Sequence, residues 1–458
     1  PHIENLERET RAAGHTLVER LAVYPKYLYP DSPFVDPQLL AAALRMVDSE
    51  GYVRPDNWFA GTVSSVPRSS PCASRKQSRI ASHPLSNILY RAQGGDTLEP
   101  AEISQLFAAR GAAFDEVCTA ANELRASVAG DVVTYVVNRN INYTNICFFR
   151  CGFCGFSKGK HAEHLRGKSY NLGLDEIVAR AEEAWSSGAT EVCLQGGIHP
   201  AYTGDTYLEI CRAIRGALPD MHIHAFSPLE VSQGAATLDI PVADFLEQLQ
   251  HAGLNTLPGT AAEILDDEVR AVLCPDKIST TEWLDIIASA HQVGLRTTAT
   301  IMFGHVDQPH HWATHLLHLR DLQQQTGGIT EFVPLPFVHA QTPLFLKGLA
   351  RRGPTFREAV LMHAIARLVL HPHIPNIQTS WTKMGVAGAS ACLQAGCNDL
   401  GGTLMNESIS RAAGATHGQE IPPAQMIEIA AAIGRPAAQR TTLYGSVTDK
   451  EPLTAIAV

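Results

Sequence analysis

Along most of its length the chain alternates short apolar runs with longer stretches in which apolar residues recur every three or four positions. From Asp131 onward the short runs read as strands: Val132–Asn145, Glu191–Gly196, His222–Ser227, Thr256–Gly259, Arg296–Gly304, Thr330–Phe337, Ile377–Trp381 and Leu400–Leu404. The longer stretches read as helices: Leu174–Ser187, Gly204–Ala217, Ala243–Ala252, Thr280–Val293, Pro309–Gln325, Phe356–Leu370, Gly385–Ala395 and Pro423–Gly434. Strand and helix in steady alternation describe parallel βα units. Eight such units predict an α/β fold, the (β/α)8 TIM-type barrel, over residues 131–445. An open six-stranded sheet is the alternative, because runs as short as Thr256–Gly259 are weak strands.

Upstream the pattern changes. Residues 84–130 predict an N-terminal helical extension: Thr97 precedes Glu99 and an apolar series through Ile103, Leu106 and Phe107, and Phe114–Val128 forms a second amphipathic stretch. Residues 62–83 are rich in Ser, carry Arg68, Arg75, Lys76 and Arg79, and have no apolar period, so they read as a flexible linker. Residues 1–61, with a helical segment from Pro37 to Asp48, are too few for a convincing core of their own. Residues 446–458 read as a C-terminal tail.

Composition narrows the function classes. Of 458 residues 45% are hydrophobic and 18% charged, as in ordinary globular proteins. A net charge of −10 with no basic stripe argues against a nucleic-acid partner. No apolar run approaches the roughly 18 residues of a membrane span. The chain opens on Pro1 rather than Met, which reads as a trimmed start with room for a lost targeting peptide. Ten cysteines are too sparse for a disulfide scaffold, so a reducing compartment is expected, the cytoplasm or else an organelle. Seven of them, Cys72, Cys118, Cys193, Cys211, Cys274, Cys392 and Cys397, are scattered and mostly lie in apolar or helical patterns.

The other three converge. Cys147, Cys151 and Cys154 are spaced Cys-x3-Cys-x2-Cys just after the first strand. Three thiolates on one loop suit three irons of a 4Fe–4S cluster and leave the fourth iron open to a ligand. Zinc is the rival, but it wants four ligands, and the nearby histidines, His161 and His164, lie outside the loop.

In a barrel the strand C-terminal ends carry the active site. Gly196 and Gly197 follow the second strand, where glycine lets backbone approach a ligand closely. After the third strand Ser227 and Glu230 suit either a ribose or ammonium contact or a helix cap. Glu263 follows the fourth strand, as a ligand contact or a first-turn dipole residue. His339, Gln378, Ser380, Lys383, Asp399 and Glu407, at later strand ends, form a pool for binding an amino acid or a polyhydroxylated heterocycle.

The cysteine spacing, with Phe153 just before the last cysteine, resembles the radical S-adenosylmethionine superfamily. The resemblance implies a 4Fe–4S cluster whose open iron chelates S-adenosylmethionine, reductive cleavage to a 5′-deoxyadenosyl radical, and an external electron donor. It implies that Phe153, Gly196 and Gly197 lie at the cofactor, with the glycines against the methionyl amino group. A side chain at Gly197 is then expected to block that group while leaving the cluster, and so the cysteine loop that holds it, intact. Thr300–Asp307 is similar to the superfamily's adenine-contacting strand, with Gly304 its one strict match.

Finer motifs are Asn138–Asn145, Gly196–Pro200, Phe332–Phe337 and Asn398–Thr403. Together they resemble the tyrosine-dependent half of FO synthase over roughly Pro84 to Gly445. The implied substrates are L-tyrosine and 5-amino-6-(D-ribitylamino)uracil, and the implied partner is the other FO synthase module, with residues 1–61 a remnant of that module's tail. An aminofutalosine synthase-like enzyme of menaquinone synthesis and a non-catalytic iron–sulfur binding module are the alternatives.

Overall fold

The computed structural model describes residues 36–63, 66–67, 85–157 and 168–447, with isolated positions nearer the start. Cys72, His161, His164, most of the 62–83 linker and the end of the tail lie outside them. Strands β1 (Val133–Val136), β2 (Asn138–Ile141), β3 (Glu191–Leu194), β4 (His222–Ala225), β5 (Thr256–Leu257), β6 (Arg296–Phe303), β7 (Ile329–Pro336) and β8 (Asp399–Gly402) follow the expected order. β2 to β7 form one six-stranded parallel sheet in chain order. Single parallel bridges, Phe332 with Ile377 and Gln378 with Asp399, carry the ladder on to β8, and β8 pairs with β1. The half-barrel sheet thus continues into a ring, its seventh strand reduced to two residues because Trp381 already starts a helix.

Why the strands close around a space rather than a solid core can be read from their period of two. Val136, Asn138 and Asn140, then Glu191, Cys193 and Gln195, then Thr298, Thr300 and Met302, then Glu331, Val333 and Leu335 line an internal cavity of about 410 Å3. The residues between them, including Val192, Leu194, Ala299, Ile301, Phe303 and Phe332, are fully buried in the main hydrophobic cluster. Apolar positions therefore face out to the helices and many polar ones face in.

Most helices begin and end within about two residues of expectation. Ser279 caps Thr280–Gln292 with Glu282 reciprocating, and Thr355 does the same with Glu358 for Phe356–Leu370. Departures have local causes. The helix start expected from Thr97 is instead at Pro100, where the Glu99 N–H donates to Glu102 Oε2 at 2.9 Å. The helix expected from Gly385 runs Trp381–Leu393, with Gly385 itself at φ 66 inside it. Pro228–Leu238, whose small residues give little apolar contrast, is a helix the pattern missed.

The described part of residues 1–61 is not a body apart. Trp58 is 1% exposed in the main cluster, edge-on to Phe356 at 5.4 Å. Arg54 fixes this segment by donating to the carbonyls of Trp58 (2.8 Å), Gly353 (2.7 Å) and Pro354 (2.9 Å).

The barrel's lower end is closed by the C-terminal segment. Strand β9 (Ala437–Gln439), unforeseen in the sequence, pairs parallel to β1. The chain then carries Arg440 and Thr442 to the cavity. Arg440 grips Asp399 through two nitrogens, at 2.5 and 2.9 Å, and Glu331 at 3.1 Å. Thr442 Oγ1 donates to Glu191 at 2.6 Å, and Asn138 Nδ2 donates to the other oxygen of that carboxylate at 2.7 Å. Among the described residues no helix is long and apolar enough to cross a membrane.

Removing the guanidinium would leave two buried carboxylates uncompensated, so Arg440→Met is expected to cost about 3–5 kcal/mol of stability. Urea denaturation measures this; a loss under about 1 kcal/mol would mean that the plug does not hold the barrel. Acid should also destabilise the fold. Burial pulls His222 and His363 down to about 4 and His315 to about 3, from 6.5 for a free imidazole. The unfolded chain therefore takes up protons first, and the contribution present above about pH 6.5 is lost as pH falls through about 4. The urea midpoint is expected to drop steadily across that window; a flat midpoint would show these imidazoles charged in the fold.

Candidate active site

The loop after β2 carries the three cysteines across the cavity mouth, and backbone bonds stitch it to three neighbours. Gly197 N–H donates to Thr144 O at 2.9 Å and Phe148 N–H to Ile198 O at 3.1 Å. Gly152 donates to Leu273 O at 2.7 Å and accepts from Leu344 N–H at 2.8 Å. Cys147, Cys151 and Cys154 are half-buried and all line the cavity. Burial pushes the Cys147 and Cys151 thiols up. Among the described residues, the only His, Cys, Asp or Glu trio whose ligand atoms converge within 4.8 Å is Asp266, Glu268 and His311. The loop thiols stand further apart, which suits a polynuclear cluster better than a single zinc ion.

The glycine turn beyond β3 lies directly on this loop. A Cβ on Gly197 would overlap the Ile146 carbonyl oxygen and stand 2.9 Å from Cβ of Cys147, and one on Gly196 would overlap the Tyr143 ring. The expectation for Gly197 is corrected by this: a side chain there strikes the cysteine loop itself, so it cannot leave the loop intact. Both glycines line the cavity, as a cofactor contact requires.

Ser227 and Glu230 also reach the cavity, and they form a helix cap as well. The Glu230 carboxylate accepts from Ser227 N–H and Oγ–H, both at 2.6 Å, from Gly196 N–H at 3.3 Å, and from the Tyr143 hydroxyl. Burial raises the Glu230 pKa and these four bonds oppose the rise. Every one of them fixes protein to protein, so Glu230 holds the glycine turn in place.

On the opposite side Glu263 pairs with Lys277 at 2.9 Å, and Lys277 Nζ stands 5.1 Å from the Phe153 ring centre. Burial would depress the Lys277 ammonium, but the Glu263 carboxylate beside it outweighs this and holds it up. Glu263 reaches this place through a left-handed backbone, φ 47, with Ala261 at φ 60. Arg270, donating to Ala262 O at 2.5 Å, and Trp283, donating to Thr260 O at 3.0 Å, brace that turn. Gln378, Ser380, Lys383 and Glu407 line the remaining wall.

Three expected residues are not on the cavity. Gly304, at φ 98, packs where a Cβ would overlap Pro354, and its N–H donates to Asp307 Oδ2 at 2.8 Å. Thr300 and Met302, four and two residues earlier, do line the cavity. His339 sits against the rings of Phe345 and Phe59, at 4.4 and 5.5 Å, where burial lowers its pKa to about 4. Asp399 is fully buried under Arg440.

Sequence reasoning missed Lys277, Glu191, His224, Glu331, Arg440 and Thr442, all on the cavity. Glu191, His224 and Glu331 are charged or polar positions inside otherwise apolar strands, a signal present in the sequence. Arg440 and Thr442 had no such signal, because they follow β9, a strand that no period in the sequence announced.

Two family models match. The radical SAM superfamily covers residues 141–319 and the CofH/MqnC C-terminal region residues 326–446. The chain is 49% identical to a 5-amino-6-(D-ribitylamino)uracil–L-tyrosine 4-hydroxyphenyl transferase of Methanopyrus kandleri, over 72% of this chain and 89% of that one. It is 42% identical to an FO synthase of Streptomyces coelicolor, over 98% of this chain and 56% of that one. The chain thus spans about half the length of the FO synthases it matches. Methylornithine synthase shares the fold at TM-score 0.61 and 18% identity, over 77% of this chain and 97% of that one. The FeFe-hydrogenase maturase HydG of Carboxydothermus hydrogenoformans does so at 0.61 and 18%, over 79% and 80%.

The overlap at Gly197 generates a prediction. Gly197→Ala should lower the iron held after anaerobic reconstitution, because the cysteine loop must shift, and Cys151→Ala should abolish the cluster. Iron and sulfide per chain, with the absorbance of the cluster, measure both. Full cluster content in Gly197→Ala would mean that the loop yields at no cost.

Proposed function

Because the chain belongs to the radical SAM superfamily and, within it, to the family of the 5-amino-6-(D-ribitylamino)uracil–L-tyrosine 4-hydroxyphenyl transferase, we propose that it carries out that transfer. The 4-hydroxybenzyl group of L-tyrosine would move to 5-amino-6-(D-ribitylamino)uracil, with iminoacetate released, as a step towards 8-hydroxy-5-deazaflavin. One observation carries the reading: a relative 49% identical, 89% of which this chain covers, bears that name. The site agrees with it, since three cysteine thiols ring the mouth of a cavity large enough for small-molecule substrates.

Cys147, Cys151 and Cys154 would hold the 4Fe–4S cluster, and Gly196, Gly197 and Phe153 would border S-adenosylmethionine. Bound there, that pair supplies a hydrogen-abstracting carbon radical when an external donor provides an electron. The protein's own part is positioning and enclosure. Glu230 fixes the glycine turn, and the Arg440 plug closes the floor against bulk water. Asn140, Thr298 and Thr300 line the lumen with amide and hydroxyl groups suited to a ribityl chain.

We further infer that residues 1–61 descend from the tail of a preceding module. The FO synthases match 97–100% of the chain, whereas the transferase matches 72%. Handing an intermediate to a partner module follows from this reading, in a reducing compartment that we take to be the cytoplasm.

The test is anaerobic turnover of the reconstituted chain with tyrosine, the diaminouracil, S-adenosylmethionine and a strong reductant, read by mass spectrometry. The expected products are 5′-deoxyadenosine, iminoacetate and the tyrosine–uracil adduct, without fluorescent deazaflavin. No adduct from fully loaded protein would overturn the proposed transfer. Fluorescent product from this chain alone would overturn the division of labour.

A further inference from the structure

The charged groups on the cavity wall are not equally satisfied. Among the described residues that line the cavity, Lys277 is paired with Glu263 at 2.9 Å and Arg440 with Glu331 at 3.1 Å. Lys383 has no carboxylate partner. Its ammonium donates to Ser410 Oγ at 2.7 Å and to Thr382 Oγ1 at 3.4 Å, both neutral hydroxyls, so a third N–H is unused. Beside it Glu407, 5% exposed, accepts from Ser410 N–H at 2.8 Å through Oε1, while its buried Oε2 has no partner at all. One residue, Ser410, therefore bridges a cation with a spare donor and an anion with a spare acceptor.

Such a pair is costly in an empty fold. A buried charge without its counter-charge and a carboxylate oxygen without a donor each carry a desolvation penalty. Burial indeed pulls the Lys383 pKa down, with Glu407 opposing. The two groups do not cancel each other by contact, as Lys277 and Glu263 do. A ligand that brings an anionic and a cationic group side by side would satisfy both.

We propose that Lys383 and Glu407 bind the head group of an α-amino acid, the carboxylate on Lys383 and the ammonium on Glu407, with Ser410 holding the two apart. This deepens the transferase reading and rests on it, assigning the subsite to the tyrosine substrate. A neutral heterocycle would leave the Lys383 charge uncompensated, so the uracil is the weaker fit. The methionyl head of S-adenosylmethionine has the same chemistry, and the experiment must separate the two sources. The subsite's place beside the cysteine loop is set by close packing: a Cβ on Gly155 would stand 2.7 Å from Ala412 O and 2.9 Å from Ala413 Cα, within the segment that carries Ser410.

The test is anaerobic calorimetry on the reconstituted chain with five probes: L-tyrosine, tyramine, 3-(4-hydroxyphenyl)propionate, S-adenosylmethionine and 5-amino-6-(D-ribitylamino)uracil. Lys383→Met should weaken L-tyrosine roughly 30-fold or more, the loss expected for one half of a buried charge pair. It should leave tyramine, which lacks the carboxylate, unchanged. Glu407→Gln should weaken L-tyrosine and tyramine but not the propionate, which lacks the ammonium. Retained tyramine binding in Lys383→Met doubles as evidence that the variant is folded, and Lys383→Arg should recover part of the affinity. If S-adenosylmethionine loses affinity in place of tyrosine, or if only uracil binding falls, the assignment is wrong. Adduct formation by wild-type protein with unchanged tyrosine affinity in both variants would overturn the subsite and leave the transferase reading standing. Absence of both tyrosine binding and adduct in wild-type protein would overturn the reading beneath it.

Discussion

Everything at the mouth of the barrel depends on one close approach: the backbone after β3 passes against the backbone that carries the cysteines. Gly197 lies so near Ile146 and Cys147 that no side chain fits, and its N–H is bonded to Thr144 O at 2.9 Å. The loop holding three half-buried thiols is thereby fixed from above by a strand-end turn. That turn is in turn fixed by Glu230 through Gly196 N–H at 3.3 Å. Glycine serves here because it has no Cβ, since neither Gly196 nor Gly197 has a positive φ. A cluster site needs its ligands held in one geometry while one side stays open, and a backbone-to-backbone contact does this without filling the cavity with side chains.

The second constraint is that a barrel lumen is ordinarily packed with apolar side chains. Here polar residues share the lumen with apolar ones, and the apolar burial that stabilises the fold lies between strands and helices, where Phe303, Phe332, Trp283 and Trp312 are fully buried. An open, polar lumen must still be closed at one end. The chain closes it with charge rather than bulk: Arg440 pairs with both Asp399 and Glu331, and Thr442 and Asn138 each donate to one oxygen of Glu191. These groups, though they line the cavity, have little hydrogen-bonding capacity left for a ligand.

Much of this was legible in the sequence, and what was not has physical reasons. The order of strands and helices follows from hydrophobic period, and the cysteine loop from spacing, because both are local. Ser227 and Glu230 reached the cavity as expected, and the cap reading was true as well, since one carboxylate can cap a helix and brace a turn. His339 and Gly304 follow strand ends as expected and Asp399 instead starts β8, and all three fall behind the wall, because position along a strand does not determine whether a side chain faces in. The period-two alternation would have decided it for the strand residues: Glu191 and Glu331 are in phase with the lumen. Asp399 begins β8 and is claimed by Arg440, whose arrival from residue 440 no local pattern announces. Gln378, Ser380, Lys383 and Glu407 were chosen for their polarity and do line the cavity.

The distribution of satisfied and unsatisfied charge across one cavity bears on where ligand binding can be coupled to stability. A fold gains nothing from leaving a buried ammonium on hydroxyls and a carboxylate oxygen bare, and marginal stability makes each such group a measurable fraction of the whole. At the floor and at Lys277 the charges are closed within the protein, so a ligand arriving there must first break an ion pair. At Lys383 and Glu407 nothing need be broken. A ligand that satisfies them would stabilise the native state by mass action, and more strongly than one held by dispersion against the same wall. The unsatisfied pair is therefore a place in this cavity where binding free energy is available without breaking an ion pair inside the protein, which is why the proposed head-group subsite lies on the polar wall of the 380–410 region and not at the more heavily charged floor.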